Sequence, residues 1–187
     1  MYESARKRHS LRGRRLAGLL FGIFLLIGGF VLLSSVHVML GEADNGDVLL
    51  AQRVNTDTQW SSRYIHSVEK CPIIEKYEID DQYKMVLMES WNCSFGAGIA
   101  TQSPPGATDR LEDGYYVIDD IDKPFDDVLF HPVSIAEQEL TIDGETWQIS
   151  RQPFEGRTFS LKIEKETRMT YLWQRLFAAG QEGESYG

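Results

Sequence analysis

The chain has 187 residues and carries 19 Lys plus Arg against 28 Asp plus Glu, a formal net charge of −9 at pH 7. The charge is unevenly divided, because the first 40 residues have a net charge of +5 and the rest of the chain has −14. This layout excludes a simple cytosolic enzyme. The acidic remainder also argues against a nucleic-acid partner, since nucleic-acid phosphates need a basic surface.

An uncharged run follows the basic N-terminus. Residues 16–40 contain no Asp, Glu, Lys or Arg and would be about 37 Å long as a helix, compared with a hydrocarbon core of about 30 Å. The sequence therefore predicts a cytoplasmic basic segment at 1–15, a transmembrane signal-anchor helix at 16–40 and an extracytoplasmic domain at 41–187. The positive-inside bias favours a single-pass protein of a bacterial inner membrane, with a cytoplasmic N-terminus and a periplasmic domain. A cleaved signal peptide is the alternative.

The domain after residue 40 shows the pattern of an all-β antiparallel sandwich or barrel, with short β-rich runs separated by Asp, Gly and Pro. Strands are predicted at 48–54, 59–68, 73–79, 84–93, 115–119, 128–131, 139–142, 146–150 and 158–163. Asp143-Gly144 is the best hairpin turn in the chain, because a type I′ turn needs positive φ at both central residues. Residues 101–113 are predicted to form a loop.

The hydrophobic period changes near the C-terminus. Apolar residues at helical spacing predict a short amphipathic helix that ends at Gly180. These residues are Met169, Leu172, Trp173, Leu176 and Phe177. Such a helix either caps the open end of the sheet or docks, through Trp173, on the membrane surface or a partner.

A hairpin turn is predicted at residues 69–72, because Pro72 interrupts the β ladder. The position of this turn determines which residues of the two flanking strands pair. The predicted pairs are Val68 with Ile73, His66 with Glu75, and Tyr64 with Tyr77. Paired Cβ atoms lie about 4.5–5.5 Å apart, so His66 and Glu75 would reach each other. They form either a polar couple that responds to pH or holds a ligand, or a structural pair that fixes the register. Ser67 points to the opposite face, so His66 cannot readily activate it.

Cys71 lies in the predicted turn at 69–72, and Cys93 ends the predicted strand at 84–93. A three-residue loop in the next hairpin, which turns around residues 80–83, places Cys71 opposite Cys93, and an oxidising compartment favours a disulfide between them. Two free buried thiols are the alternative. The four histidines and the lack of C-x-x-C spacing predict that the chain binds no metal.

Familiar catalytic motifs are absent from the sequence: it has no nucleophile elbow, P-loop, H-E-x-x-H or dinucleotide fingerprint. The sequence therefore predicts no catalytic residues, no enzymatic activity and no cofactor. Gly96 and Gly98 form a lone G-x-G that marks either a bulge or a place where the backbone approaches a ligand. The acid-rich residues 109–127 lack the spacing of a calcium loop and favour a solvated face.

Three ordered elements resemble one family. They are Tyr64-Ile65-His66-Ser67-Val68-Glu69, then Pro72-Ile73-Ile74-Glu75-Lys76-Tyr77, then Ser94-Phe95-Gly96-Ala97-Gly98-Ile99. Together they resemble the domain of unknown function 1850 family over roughly 48–163, although Ala100 stands where a proline is common in that family. The resemblance implies a small envelope protein encoded beside TRAP-type transporters of the TAXI subclass, and it implies no activity.

These observations predict a non-enzymatic, membrane-anchored extracytoplasmic accessory or assembly factor of a TRAP-type (TAXI) solute transport system. Its partner would be the transporter membrane subunit or the solute-binding protein. The predicted contacts are His66, Ser67, Glu75, Tyr77, Gly96, Gly98 and Trp173. The alternative is a free-standing envelope module that binds a small ligand or a cation through residues 96–127.

Overall fold

The computed structural model describes residues 3–93 and 103–183, with side chains described at 18–93 and 103–178. These residues form two α-helices, twelve strands and a short 3-10 helix at Ser134–Ala136. Their bounds are α1 Glu3–Leu33, β1 Ser35–Ala43, β2 Val48–Val54, β3 Gln59–Ile65, β4 Pro72–Ile79, β5 Met85–Asn92, β6 Thr108–Glu112, β7 Tyr115–Asp119, β8 Lys123–Phe125, β9 Asp127–Phe130, β10 Glu139–Ile142, β11 Glu145–Gln148, β12 Phe159–Thr167 and α2 Arg168–Gly183.

The strands form two antiparallel sheets, which confirms the predicted all-β class. The small sheet has the order β2-β1-β12-β9, and the large sheet has the order β11-β10-β3-β4-β5-β7-β6, with β8 paired to β5. The inner faces of the two sheets share one hydrophobic core. Met39 and Phe159 of the small sheet, and Trp60 and Ile142 of the large sheet, are almost completely buried in it. The two sheets thus form a sandwich, with alternate side chains of each strand packed between them.

The predicted helix at 16–40 is wrong in its last part. Helix α1 ends at Leu33, and β1 begins at Ser35 and pairs with β12 along its whole length. Ser34, Ser35 and the β-branched Val36 and Val38 are compatible with a strand, and the pairing with β12 stabilises it. Among the residues whose side chains the structure describes, no helix is long and apolar enough to cross a membrane.

Helix α2 lies on the outer face of the small sheet. Val36, Val38, Leu40 and Ala51 form a second buried cluster there, and Tyr171 of α2 packs against it. The predicted C-terminal helix is therefore confirmed, although it covers a sheet face and continues past Gly180 to Gly183. Helix α2 packs there because the outer face of the central strand β1 is apolar, whereas the outer face of a solvent-exposed sheet is polar.

The local sequence signals located several elements well. Strands β2, β7 and β10 have the predicted bounds. Asp143 and Gly144 both adopt positive φ, of 50° and 80°, and connect β10 to β11. Strand β6 lies inside the predicted loop at 101–113. Its short polar sequence has no apolar alternation that would predict a strand, and its pairing with β7 stabilises it.

Candidate functional site

The predicted register of the β3–β4 hairpin is wrong by four residues. Glu75 pairs with Ser62 instead of His66, and Tyr77 pairs with Trp60 instead of Tyr64. The turn is longer than predicted, since Ile65 pairs with Pro72 and the chain reverses over residues 66–71. Pro72 is the first residue of β4, a position that needs no ladder N–H, so it starts the strand and does not form the turn.

His66 and Ser67 lie in this turn, away from Glu75. The amide of Glu69 donates to His66 Nδ1 at 3.2 Å, and the amide of Lys70 donates to the carbonyl of His66 at 2.9 Å. Lys70 adopts a positive φ of 56°, which closes the turn. The imidazole therefore stabilises the turn, and the predicted His66–Glu75 couple is not formed.

Glu75 instead lies on the inner face of the large sheet beside hydroxyl groups. Its Oε2 accepts hydrogen bonds from Tyr77 Oη at 3.0 Å and from Ser62 Oγ at 3.3 Å. Burial, and then the negative charge of Glu75, raise the pKa of Tyr77 and of Tyr64. Both phenols therefore stay protonated near neutral pH. The structure brings Glu75 and Tyr77 together as an acceptor and a donor inside the sandwich.

The predicted disulfide between Cys71 and Cys93 is confirmed, with the two Cα atoms 6.3 Å apart. It ties the turn at 66–71 to the end of β5. The predicted register holds at the β4–β5 turn, where Ile79 pairs with Met85, and shifts by one residue at a bulge after Lys76. Disulfide geometry tolerates this offset because the Cα separation stays below 7 Å.

The outer face of the large sheet carries a charged aromatic cluster that the sequence did not reveal. Strands β4 to β7 bring together Lys76, Glu89, Trp91, Arg110 and Asp119, here called the Trp91 cluster. Lys76 Nζ lies 4.3 Å from the centre of the indole ring, and the Arg110 guanidinium carbon lies 5.6 Å from it. Two cations thus contact one indole, an arrangement that the ring quadrupole favours.

Glu89 organises this cluster through a single carboxylate oxygen. Its Oε2 accepts hydrogen bonds from Lys76 Nζ at 2.8 Å and from Trp91 Nε1 at 2.6 Å, and lies 3.9 Å from Arg110 Nη2. Burial acts to raise the pKa of Glu89, but these donors and the two positive charges outweigh it, so the pKa lies below its ordinary value. Glu89 is therefore ionised near neutral pH and fixes the orientation of the indole.

Arg110 extends the cluster to the edge of the sheet. It forms an ion pair with Asp119, and its Nε donates to Glu112 at 2.8 Å. The side chains of Lys76 and Arg110 remain 46% and 36% exposed. The result is a rigid aromatic surface with exposed charges of both signs, which can bind a protein surface or a polar ligand.

A groove with a volume of about 390 Å³ adjoins the Trp91 cluster, because Lys76 and Glu89 line both. Gln59, Ser61 and Glu78 supply further polar groups along its walls. Neighbouring amide, hydroxyl, ammonium and carboxylate groups can bind the polar side chains of a partner or a small dipolar ligand.

The remaining predicted site residues are placed as follows. Trp173 is 63% exposed on α2 and contacts Phe177 edge to face, with the two ring centres 4.6 Å apart. Gly96 and Gly98 lie outside the described residues. Within residues 18–93 and 103–178, no three His, Cys, Asp or Glu side chains are grouped to hold a metal ion.

Sequence reasoning missed the Trp91 cluster because its members come from four strands. One signal was available: Glu89 and Trp91 are two residues apart in a strand, so their side chains lie on the same face. Their pairing with Lys76 and Arg110 depends on the order of the strands, which the local pattern does not contain.

Residues 61–149 match the model of a family described as Domain of unknown function (DUF1850). The match confirms the family resemblance and includes both the H-S-V and the P-x-x-E-x-Y elements. It also contains every residue of the Trp91 cluster. Neither the comparison with curated proteins nor the comparison with solved structures found a significant match.

Proposed function

We propose that this chain is a non-catalytic, membrane-anchored accessory or assembly factor of a TRAP-type solute transport system. Its sandwich lies on the periplasmic side of a bacterial inner membrane, and its N-terminus is cytoplasmic. The transporter membrane subunit or the solute-binding protein is the partner. The transporter association comes from the family resemblance of the sequence, whereas the exposed apolar side chains of α1 support the anchor and the Trp91 cluster supports the contact surface.

The apolar surface of α1 supports the anchor. Twelve large apolar side chains of this helix are 42% to 78% exposed. They are Leu19, Leu20, Phe21, Ile23, Phe24, Leu25, Leu26, Ile27, Phe30, Val31, Leu32 and Leu33. A helix that is apolar all round needs protein or lipid around it. The six basic residues before Leu16 support the cytoplasmic orientation of the N-terminus.

The observation that carries the proposal is the short junction between α1 and the sandwich. Only Ser34 separates α1 from β1, and β1 is a central strand of the small sheet. The amide of Arg168 donates to the carbonyl of Ser34 at 3.0 Å, which ties the start of α2 to the same junction. A helix anchored in a membrane would therefore hold the sandwich directly at the membrane surface, within reach of a membrane-embedded partner.

The Trp91 cluster and its groove supply the proposed contact surface. Trp, Tyr and Arg are enriched among the residues that dominate protein interfaces. Glu89 already fixes the indole of Trp91, so little conformational entropy would be lost on binding. This surface replaces the predicted His66–Glu75 contact, because Glu75 lies on the inner face of the sheet.

Co-purification tests the proposal. The full chain would be crosslinked in native membranes and purified, and we expect a TRAP-type membrane subunit or solute-binding protein to be recovered with it. Lys76→Glu should reduce the recovery severalfold, because it reverses a charge in the Trp91 cluster. Lys84→Glu is the matched control, since Lys84 is similarly exposed (42%) and pairs with Asp126 away from the cluster. Consistent absence of any transport component would contradict the proposal.

The groove favours a second candidate, an envelope module that binds a small polar ligand. Its volume of about 390 Å³ falls in the range of small-molecule sites. Calorimetry of the full chain in detergent with small dipolar organic acids would test this candidate. Heats that disappear in Lys76→Glu and persist in Lys84→Glu would favour it over the first.

A further inference from the structure

Helix α2 has two faces of different character. The inner face is attached to the sandwich: Arg175 donates two hydrogen bonds to Glu145, at 2.8 and 3.0 Å, and contacts Gln52 of β2. Tyr171 packs on the small sheet, and Ala178 is buried. These contacts fix how α2 is rotated about its own axis.

The outer face of α2 is apolar. Its five large side chains are spaced i, i+3, i+4, i+7 and i+8, so they form one stripe along the helix. They are Met169 (55% exposed), Leu172 (48%), Trp173 (63%), Leu176 (69%) and Phe177 (54%). Because the inner contacts fix the rotation of the helix, the stripe cannot turn toward the core. A continuous exposed apolar stripe of this kind marks an interaction surface.

The start of α2, where the stripe begins at Met169, lies next to the end of α1. The two helices contact each other, and Arg168, the first residue of α2, is hydrogen-bonded to Ser34 immediately after α1. The large side chains at the end of α1 are exposed as well, for example Phe30 at 78% and Leu33 at 63%. The apolar surface of α1 and the apolar stripe of α2 therefore meet at the junction.

We infer that the apolar stripe of α2 is seated in the lipid of the membrane interface, with the acyl chains beneath it and the small sheet above it. The inference rests on the membrane anchor of the proposed function and deepens it. Continuity with α1 selects lipid as the occupant, since a bilayer that surrounds α1 begins where the stripe begins. Trp173 suits the boundary between acyl chains and headgroups, because an indole has an apolar ring and a polar N–H.

The electrostatics favour insertion driven by apolar burial over attraction to anionic headgroups. Arg175, the basic residue in the middle of α2, is already paired with Glu145. The chain after residue 40 has a net charge of −14. Binding should therefore occur on zwitterionic phosphatidylcholine and depend weakly on salt.

Quenching by brominated lipid tests the inference with the full chain. The protein would be reconstituted into phosphatidylcholine vesicles, with or without bromine on the upper part of the acyl chains, and flotation would confirm attachment. The four tryptophans are Trp60, Trp91, Trp147 and Trp173. We expect the brominated vesicles to quench part of the fluorescence. Trp173→Phe should abolish most of this quenching, and the control Trp91→Phe should retain it.

Each outcome decides the inference. Flotation with quenching that depends on Trp173 supports it. Flotation with equal fluorescence in both kinds of vesicle would overturn it while leaving the anchor and the transporter proposal standing. Crosslinking of the stripe to a second copy, or to a transporter helix, in place of lipid would also overturn it. Failure to float would contradict the anchor itself and the inference with it.

Discussion

The two sheets of the sandwich differ in what their outer faces carry. The outer face of the small sheet is apolar and is covered by α2, with Val38 and Leu40 almost completely buried. The outer face of the large sheet carries the Trp91 cluster, in which Lys76 and Arg110 remain substantially exposed. Both sheets contribute their inner faces to one core, so the difference lies in what each outer face can bind.

This difference gives the molecule two sides. Helix α2 and the end of α1 present apolar groups on one side, whereas the large sheet presents paired charges and an indole on the other. Apolar surface suits lipid, and a rigid mixture of charges and aromatic groups suits a protein partner. A substitution on one side can therefore be compared with a matched substitution on the other.

The largest expected effect comes from the disulfide beside the Trp91 cluster. Changing both Cys71 and Cys93 to Ser should lower the free energy of unfolding by about 3 kcal/mol, because the bond closes a loop between cysteines 22 residues apart and so restricts the unfolded chain. Urea unfolding of the full chain in detergent would measure this loss. Reduction of the unmodified chain should give a similar shift, and unchanged midpoints in both experiments would contradict the prediction.

The next effect compares the two outer faces. Val38→Ala should cost about 2 kcal/mol, since Val38 is 0% exposed beneath α2 and its loss leaves a cavity. Ile74→Ala, on the half-buried outer face of β4, should cost no more than about 1 kcal/mol. Thermal unfolding of both variants would test this order, and a larger cost at Ile74 would show that the large-sheet face is covered.

The charge of Glu89 gives a pH dependence with a definite sign. Its pKa is lowered in the folded state, so the carboxylate stabilises the fold above its unfolded pKa of about 4.3. That contribution, roughly 1 kcal/mol, is lost as the pH falls below this value. Glu89→Gln should flatten the decline in stability below about pH 4.3. Urea unfolding at several pH values would measure it, and parallel curves would contradict it.

The smallest expected effect on stability is that of Lys76→Glu, within about 1 kcal/mol, because Lys76 is 46% exposed. Placing a carboxylate beside Glu89 should nevertheless disturb the cation contact with Trp91. The emission spectrum of Trp91, taken as the difference from Trp91→Phe, should therefore shift. An unchanged spectrum would indicate that Lys76 does not contact the indole in solution.

Much of the fold could be predicted from local sequence signals. Asp143-Gly144 marked its turn because few residue pairs adopt positive φ at both positions. The two cysteines could be paired because only a few residues separate β4 from β5, and this short turn limits the possible registers. The C-terminal helix was visible because its apolar residues recur at helical spacing.

The parts that could not be predicted depend on contacts between distant segments. Strand β1 continues an apolar run, and its pairing with β12 distinguishes it from a helix. The β3–β4 register depends on a six-residue turn that Pro72 follows, whereas Pro72 had suggested a shorter one. The Trp91 cluster needs the order of four strands. The predicted His66 site was therefore misplaced, while Glu75 and Tyr77 remained together as neighbours on one face.

Photo-crosslinking from the two sides tests the central claim most directly. A p-benzoyl-phenylalanine would be placed in the full chain at Gln59, in the groove of the large sheet, or at Leu172, on the apolar stripe of α2. After irradiation of native membranes, we expect Gln59 to yield an adduct with a TRAP-type transport protein and Leu172 to yield lipid adducts. Protein adducts from Leu172 and none from Gln59 would contradict the account.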